Sequence, residues 1–321
     1  MPMEQNNRSH VSEFILLGFT NEPTIQQLLF IFFLLIYLLT ICGNIGIILT
    51  VSIISDLHNP MYFFLSNLSF SDLCYSTVVT PRMLHDIFSN RKSISFIGCA
   101  VQLYFFATFA SIECYILSTM AYDRYVAICY PLLYPVIMNT RACILLVCVV
   151  YISGLLTSVI HTSCILTLSF CGPNVINHFF CDIPPLMELS CSDTYTNKTI
   201  IFSIVSFLGF FSVIVTLASY VYIFATIMNI RSSAGKRKAF STCTSHLLCV
   251  SLFYVTVFFM YLRPASSYSV SQDKVVSVFY TMVIPMMNPI IYSLRNAEVK
   301  KAFRPLVGER EYVLFSWALC Q

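Results

Sequence analysis

The chain has 321 residues, of which 57% are hydrophobic and 10% charged, and its formal net charge is +3. A soluble domain carries about 25% charged residues, so this composition, with a mean hydropathy of +0.78, excludes a water-soluble fold. The small positive charge belongs to membrane topology and gives no ground for nucleic-acid binding.

Residues 1–24 read as an N-terminal tail. Within it Phe14–Phe19, FILLGF, is too short for the apolar core of a signal peptide, so the first span must act as its own insertion signal. Asn7-Arg8-Ser9 is a glycosylation sequon on this tail. A span needs roughly 20 apolar residues, and seven stretches qualify, at 25–54, 58–80, 97–129, 141–165, 198–229, 238–262 and 273–294. Residues 25–295 thus predict one transmembrane domain, an all-α membrane protein built as a seven-helix bundle, and residues 296–321 a segment on the opposite face from the tail. In that segment Asn296–Arg304, NAEVKKAFR, sets Ala297, Val299 and Phe303 against Lys300, Lys301 and Arg304. That spacing predicts a short amphipathic eighth helix lying on membrane lipid.

Orientation follows from the basic residues. With the N-terminus outside, the inner side holds eleven of the eighteen, including Arg124, Arg141 and the run Arg231–Lys238, and the outer side seven. This predicts a multi-pass membrane protein with its N-terminus outside. Four cysteines then fall outside: Cys99, Cys171, Cys181 and Cys191. An even number on the oxidising side is what a disulfide framework requires, and four cysteines allow three pairings.

Polar residues interrupt the spans at informative places. Asp72, Glu113 and Asn288 lie within spans two, three and seven. Two carboxylates in hydrocarbon must be paired, protonated or bound to a cation, so this trio either binds sodium or keeps a protonated, hydrogen-bonded acid. Asp123 and Arg124 sit where span three meets water, within Met120–Cys129, MAYDRYVAIC. Pro289 in Asn288–Tyr292, NPIIY, removes a backbone hydrogen bond and permits a kink. Tyr220 and Tyr292 place phenols near the depth of Arg124. Enzyme signatures are missing: there is no HExxH and no glycine-rich phosphate loop, and His161, His178 and His246 are too scattered to predict a metal triad. No enzymatic activity is expected.

These residues resemble the rhodopsin-like receptors, through Gly43-Asn44, Asp72, Cys99, Asp123-Arg124-Tyr125 and NPIIY. Longer matches resemble the olfactory receptors of the tetrapod type (class II): Leu57–Asp72, Met120–Met138, Lys238–Leu247, Pro285–Asn296 and the loop motif His178–Asp182. The resemblance covers roughly residues 7 to 304. It implies disulfides Cys99–Cys181 and Cys171–Cys191, and a sodium pocket of Asp72, Glu113 and Asn288 as the one optional cofactor. It further implies a coupling surface of Asp123, Arg124, Tyr125, Tyr220, Lys236, Lys238, Asn288, Pro289 and Tyr292, with Arg124 held by Asp123 at rest.

The pocket implied by the resemblance lies in the outer halves of spans three, five, six and seven. Helical spacing puts Phe106, Ala107, Ala110 and Ser111 on one face, Ile204, Val205 and Leu208 on a second, and Tyr254, Val257, Phe258 and Tyr261 on a third, with Val278 and Thr281 closing the site. An apolar, uncharged lining suits a small, neutral, volatile odorant. The expected partner inside is a stimulatory, olfactory-type heterotrimeric G protein that raises cAMP. The alternatives are a rhodopsin-like receptor for a non-odorant metabolite, or an ion or proton transporter using Asp72 and Glu113. Two departures stand out: span six has Tyr254 in place of a Trp-Pro switch, and the tail from Pro305 is apolar.

Overall fold

A computed structural model describes residues 11–230, 232–261 and 270–295. Asn7, the eighth-helix segment and the tail lie outside the described residues, as do the side chains of Lys238 and Tyr261. In chain order the helices are α1 (Pro23–Ile53), α2 (Pro60–Phe88), α3 (Phe96–Cys129), α4 (Tyr134–Ile137), α5 (Thr140–Leu166), α6 (Ile183–Glu188), α7 (Tyr195–Asn229), α8 (Ser233–Tyr261), α9 (Val270–Val278) and α10 (Ile284–Arg295). A π-helical segment, Phe279–Val283, joins α9 to α10 into one last span. The seven long elements, counting that span as one, correspond to the seven apolar stretches; the helix that holds the second stretch runs on to Phe88.

Local chemistry sets the starts. Asn59, Ser95 and Asn139 stand in extended conformation and accept hydrogen bonds from Tyr62, Gly98 and Ala142 N–H groups, satisfying donors that a helix start leaves open. Pro23 and Pro60 open α1 and α2, where the missing N–H costs nothing. The outward faces of α1, α5 and α7 carry exposed Leu, Ile and Phe throughout, such as Leu28, Leu145 and Phe207. Only lipid accommodates so continuous an apolar surface. Polar side chains turn inward: Thr40, Asn44, Asp72, Ser76, Glu113, Ser158 and Ser212 are buried.

The central helix is α3, with half of its most apolar window buried against 17% for α7. It meets α5 at Gly154, where an added Cβ would stand 2.7 Å from Ile112 Cγ1 and 3.2 Å from the Thr108 carbonyl. Absence of a side chain lets the helices close, and Thr108 Oγ1 donates to Ser158 Oγ at 2.8 Å across the contact. A second close approach joins α1 to α10: a Cβ on Gly43 would lie 3.1 Å from the ring of Pro289. Pro289 has no N–H for the carbonyl of Pro285, four residues back. Asn44 Nδ2 donates to that carbonyl at 3.0 Å and fills the vacancy.

One end of the bundle carries a cap. A three-stranded sheet, ordered β2-β1-β3, is made by β1 (Glu13–Leu16), β2 (Ser93–Ser95) and β3 (Val175–Ile176). Strand β1 runs antiparallel to β2, with Glu13 opposite Ser95, and parallel to β3, with Ile15 opposite Val175. Its alternation buries Phe14 and Leu16, and Phe14 meets Phe170 edge-on at 5.3 Å. Part of the predicted tail is therefore ordered on the bundle, a small β addition to the expected all-α fold. Two disulfides, Cys99–Cys181 and Cys171–Cys191, close the same end.

Candidate functional site

Beneath the cap lies a cavity of about 90 Å³. Phe106, Ala107, Ala110 and Ser111 of α3 line it, with Ile204, Val205 and Leu208 of α7 and Tyr254, Val257 and Phe258 of α8. Its floor is tied by hydroxyls. Tyr254 Oη and Ser212 Oγ lie 2.5 Å apart, and both reach the carbonyl of Cys114, at 3.2 and 3.0 Å. The ring that faces the cavity thus spans three helices.

The roof is the loop segment at Cys181. Its N–H donates to Gln102 Oε1 at 3.0 Å, while Gln102 Nε2 donates to Val78 O at 3.1 Å, so one amide locks the loop to α2 and α3. Phe180 packs on Phe106 at 4.9 Å, and Tyr75 stacks on the same ring at 5.4 Å. Tyr280 donates to Asp182 Oδ2 at 3.2 Å and sits 3.0 Å from Ser277 Oγ, which in turn is 3.3 Å from His178 Nε2. Burial, helped by the charge of Lys274, pushes the His178 pKa down to about 3, so this roof imidazole is neutral.

Deeper in the bundle, Asn288 Nδ2 donates to Asp72 Oδ2 at 3.0 Å and approaches Glu113 Oε1 at 3.4 Å. All three side chains are buried, and Glu113 Oε2 has no hydrogen-bond partner among the described residues. Carboxylate oxygens with one unpaired are the donor type that a hard cation takes, so the residues fit a sodium ion. Among the described residues no group of three His, Cys, Asp or Glu gathers, here or in other parts of the bundle.

At the far end Arg124 Nη2 and Nε donate to Asp123 Oδ2 at 2.5 and 3.0 Å, and Tyr134 donates to Oδ1 at 2.8 Å. Asp123 is fully buried. Burial, and then the Asp123 charge, pushes the Tyr134 phenol up, keeping it a donor. Tyr220 Oη is 2.6 Å from His246 Nδ1. Tyr125 turns away from the pair, with its hydroxyl donating to Tyr130 at 3.4 Å. Tyr292 is buried beside Ile291, and its hydroxyl lies against the Cys249 thiol.

A model of the olfactory receptor family matches residues 33–310. Olfactory receptor 5AR1 of Mus musculus is 53% identical over 308 residues, covering 96% of this chain and 99% of that one. The chain belongs to the olfactory receptor family. The receptor is also similar to Olfactory receptor 5AR1 of Homo sapiens, at 51% identity and the same coverage. Its fold matches a squid rhodopsin with a TM-score of 0.70 at 19% identity, over 89% of this chain and 82% of that one. It is a multi-pass, seven-helix G-protein-coupled receptor, a signalling class with no enzymatic step.

The receptor brings together most of the side chains that helical spacing placed on the cavity. Val278 and Thr281 do not line it. The π segment begins at Phe279, and its wider turn changes the direction of Thr281 within it, while Val278 ends the regular helix before it. Tyr280 faces the cavity instead, Thr281 donates to Ser277 O at 2.6 Å, and Val278 packs into the bundle core. Tyr261 and Lys238 have side chains outside the described residues, and Lys236 lies half-buried in the first turns of α8. Periodicity on four spans missed Tyr75, Thr157, His161 and Ile183, which line the cavity from α2, α5 and α6. The signal for His161 was present, a lone histidine in an apolar run, but it carries no direction. Tyr134 and His246, partners of Asp123 and Tyr220, were missed for the same reason.

Proposed function

We propose that small, neutral, mostly apolar odorants bind in the cavity beneath the cap and that the receptor answers through a stimulatory, olfactory-type G protein, raising cAMP. The observation that carries this reading is the cavity lining: aliphatic and aromatic side chains with a few hydroxyls and no Asp, Glu, Lys or Arg. Its volume of about 90 Å³ is below the roughly 300–1,000 Å³ of clefts for drug-sized ligands, which selects for small molecules. The end with the disulfides faces outside, as oxidised cysteines require, and the Asp123–Arg124 end faces the cytoplasm at the plasma membrane.

Binding acts by population shift. Tyr254 lines the cavity and bonds to α3 and α7, so a ligand that moves this ring changes how α8 sits on the bundle. Lys236 stands near the inner end of α8, and His246, midway along it, meets Tyr220 of α7. Asp72, Glu113 and Asn288, midway between, hold a sodium ion that favours the resting arrangement. Asn288, Pro289 and Tyr292 relay the change along the last span.

The test is a cAMP reporter screen with a chemically broad odorant panel, with surface expression measured in parallel. Surface-expressed receptor should answer members of the panel, and Ala110→Trp, which fills the cavity, should abolish the responses without lowering surface expression. Responses that survive Ala110→Trp would place the odorant elsewhere.

A further inference from the structure

Two polar groups at the cavity are buried and left without a partner. His161 is 6% exposed and Tyr75 is 1% exposed; both side chains line the cavity, and neither His161 Nε2 nor Tyr75 Oη has a hydrogen-bond partner among the described residues. A buried polar atom with an unmade hydrogen bond is costly, and a group that supplies the missing partner recovers that cost. Of the other hydroxyls at the wall, Ser111 is only half-buried and the remaining three are already engaged. Thr157 Oγ1 donates to Ser153 O at 2.8 Å, Tyr254 is held by Ser212, and Tyr280 by Asp182 and Ser277.

Of the two free groups, His161 has the wider chemistry. A neutral imidazole nitrogen offers a lone pair or an N–H, according to tautomer, so it can accept from a hydroxyl or donate to a carbonyl. Tyr75 is stacked on Phe106 beside the roof, and its phenol carries a single O–H in a fixed direction. His161 has no charged side chain among its neighbours in the lining.

Resting on the cavity as the odorant site, we propose that His161 is the specificity-determining residue and that the ligand class is an apolar body bearing one uncharged oxygen group, an alcohol or an aldehyde or ketone, seated on Nε2. A hydrocarbon leaves Nε2 unpaired. A carboxylate or ammonium ligand meets a wall without a counter-charge, and burying an unpaired ion is prohibitive. The rest of the ligand lies against Val205, Leu208 and Phe258.

The experiment compares matched sets of alkane, alcohol, aldehyde and carboxylic acid built on straight-chain, cyclic and phenyl-bearing bodies. The cells express the wild type, His161→Phe, His161→Gln, Tyr75→Phe or Ala110→Trp at matched surface density. Alcohols or aldehydes should activate the wild type at lower concentration than the matched alkanes and acids. His161→Phe, which keeps the ring and removes the hydrogen bond, should weaken the oxygenated ligands by about tenfold and erase their lead over the alkane, in keeping with the loss of one hydrogen bond. His161→Gln, which folds with a donor and an acceptor in place, should restore part of it. A wild-type receptor at the surface that ignores alcohols and aldehydes of every body overturns the assignment. So does an unchanged alcohol-to-alkane ratio in His161→Phe, or a loss found in Tyr75→Phe alone. If Ala110→Trp leaves all responses intact, the cavity reading itself has failed; if Ala110→Trp abolishes them while His161→Phe does not alter the ratio, only the role of His161 has.

Discussion

Tyr134 donates to Asp123 Oδ1 at 2.8 Å while Arg124 occupies Oδ2 of the same carboxylate. The acid that restrains Arg124 is therefore itself restrained, from the short helix α4 that follows α3. Tyr134→Phe removes one hydrogen bond worth about 1 kcal/mol, a shift of roughly fivefold in the resting-to-active ratio. Ligand-free cAMP at matched surface expression should rise by about that factor. Basal activity equal to wild type would remove Tyr134 from the restraint.

Asp72 and Glu113 share the amide of Asn288, and Glu113 Oε2 is unpaired among the described residues. With sodium held there, replacing potassium by sodium should raise the thermal midpoint of purified receptor and lower agonist potency. Glu113→Gln keeps the shape, removes a charge, and should abolish both sodium effects. An equal response to sodium and potassium in the wild type would sink the site.

Gly154 closes the contact between α3 and α5, with a Cβ placed 2.7 Å from Ile112 Cγ1. Gly154→Ala should destabilise the bundle by about 1–3 kcal/mol through overpacking, seen as a lower thermal midpoint and reduced surface expression. Adding Ile112→Ala should recover part of the loss, because the two positions are in contact and do not act additively. Strict additivity would argue that the helices meet elsewhere.

His178 sits in the roof with its pKa pushed down to about 3 from an ordinary value of 6.5. Because the folded value is the lower one, the unfolded chain binds the proton first. The stability that neutral His178 contributes is present above about pH 6.5 and is lost as pH falls toward 3, at up to about 1.4 kcal/mol per unit. Thermal midpoints of purified wild type should therefore drop on acidification through this range, and those of His178→Gln should drop less. Parallel pH profiles would show that the ring is not protected by the roof.

The sequence by itself determined the membrane class, the seven spans, the cysteines available for bridging and the polar residues that hydrocarbon does not tolerate idle. Those properties are local: length, hydropathy and residue type are written along the chain, and lipid penalises any exception. It also grouped Phe106, Ala110 and Leu208 with side chains that line the cavity, since 3.6-residue spacing holds along regular helices. What it could not carry is the rotation of each helix about its axis, because a span that is apolar all round has no strong side to read. That rotation, and the turn that follows each helix, decide which polar groups meet. Tertiary packing alone put Tyr134 on Asp123, Asn44 on the carbonyl that Pro289 frees, and His161 and Tyr75 unpaired at the cavity wall. The π segment shows the limit most sharply: within its wider turn Tyr280 faces the cavity where regular spacing expected Thr281. Tyr280 meets Asp182 across that turn, a contact that exists only once the bundle has closed.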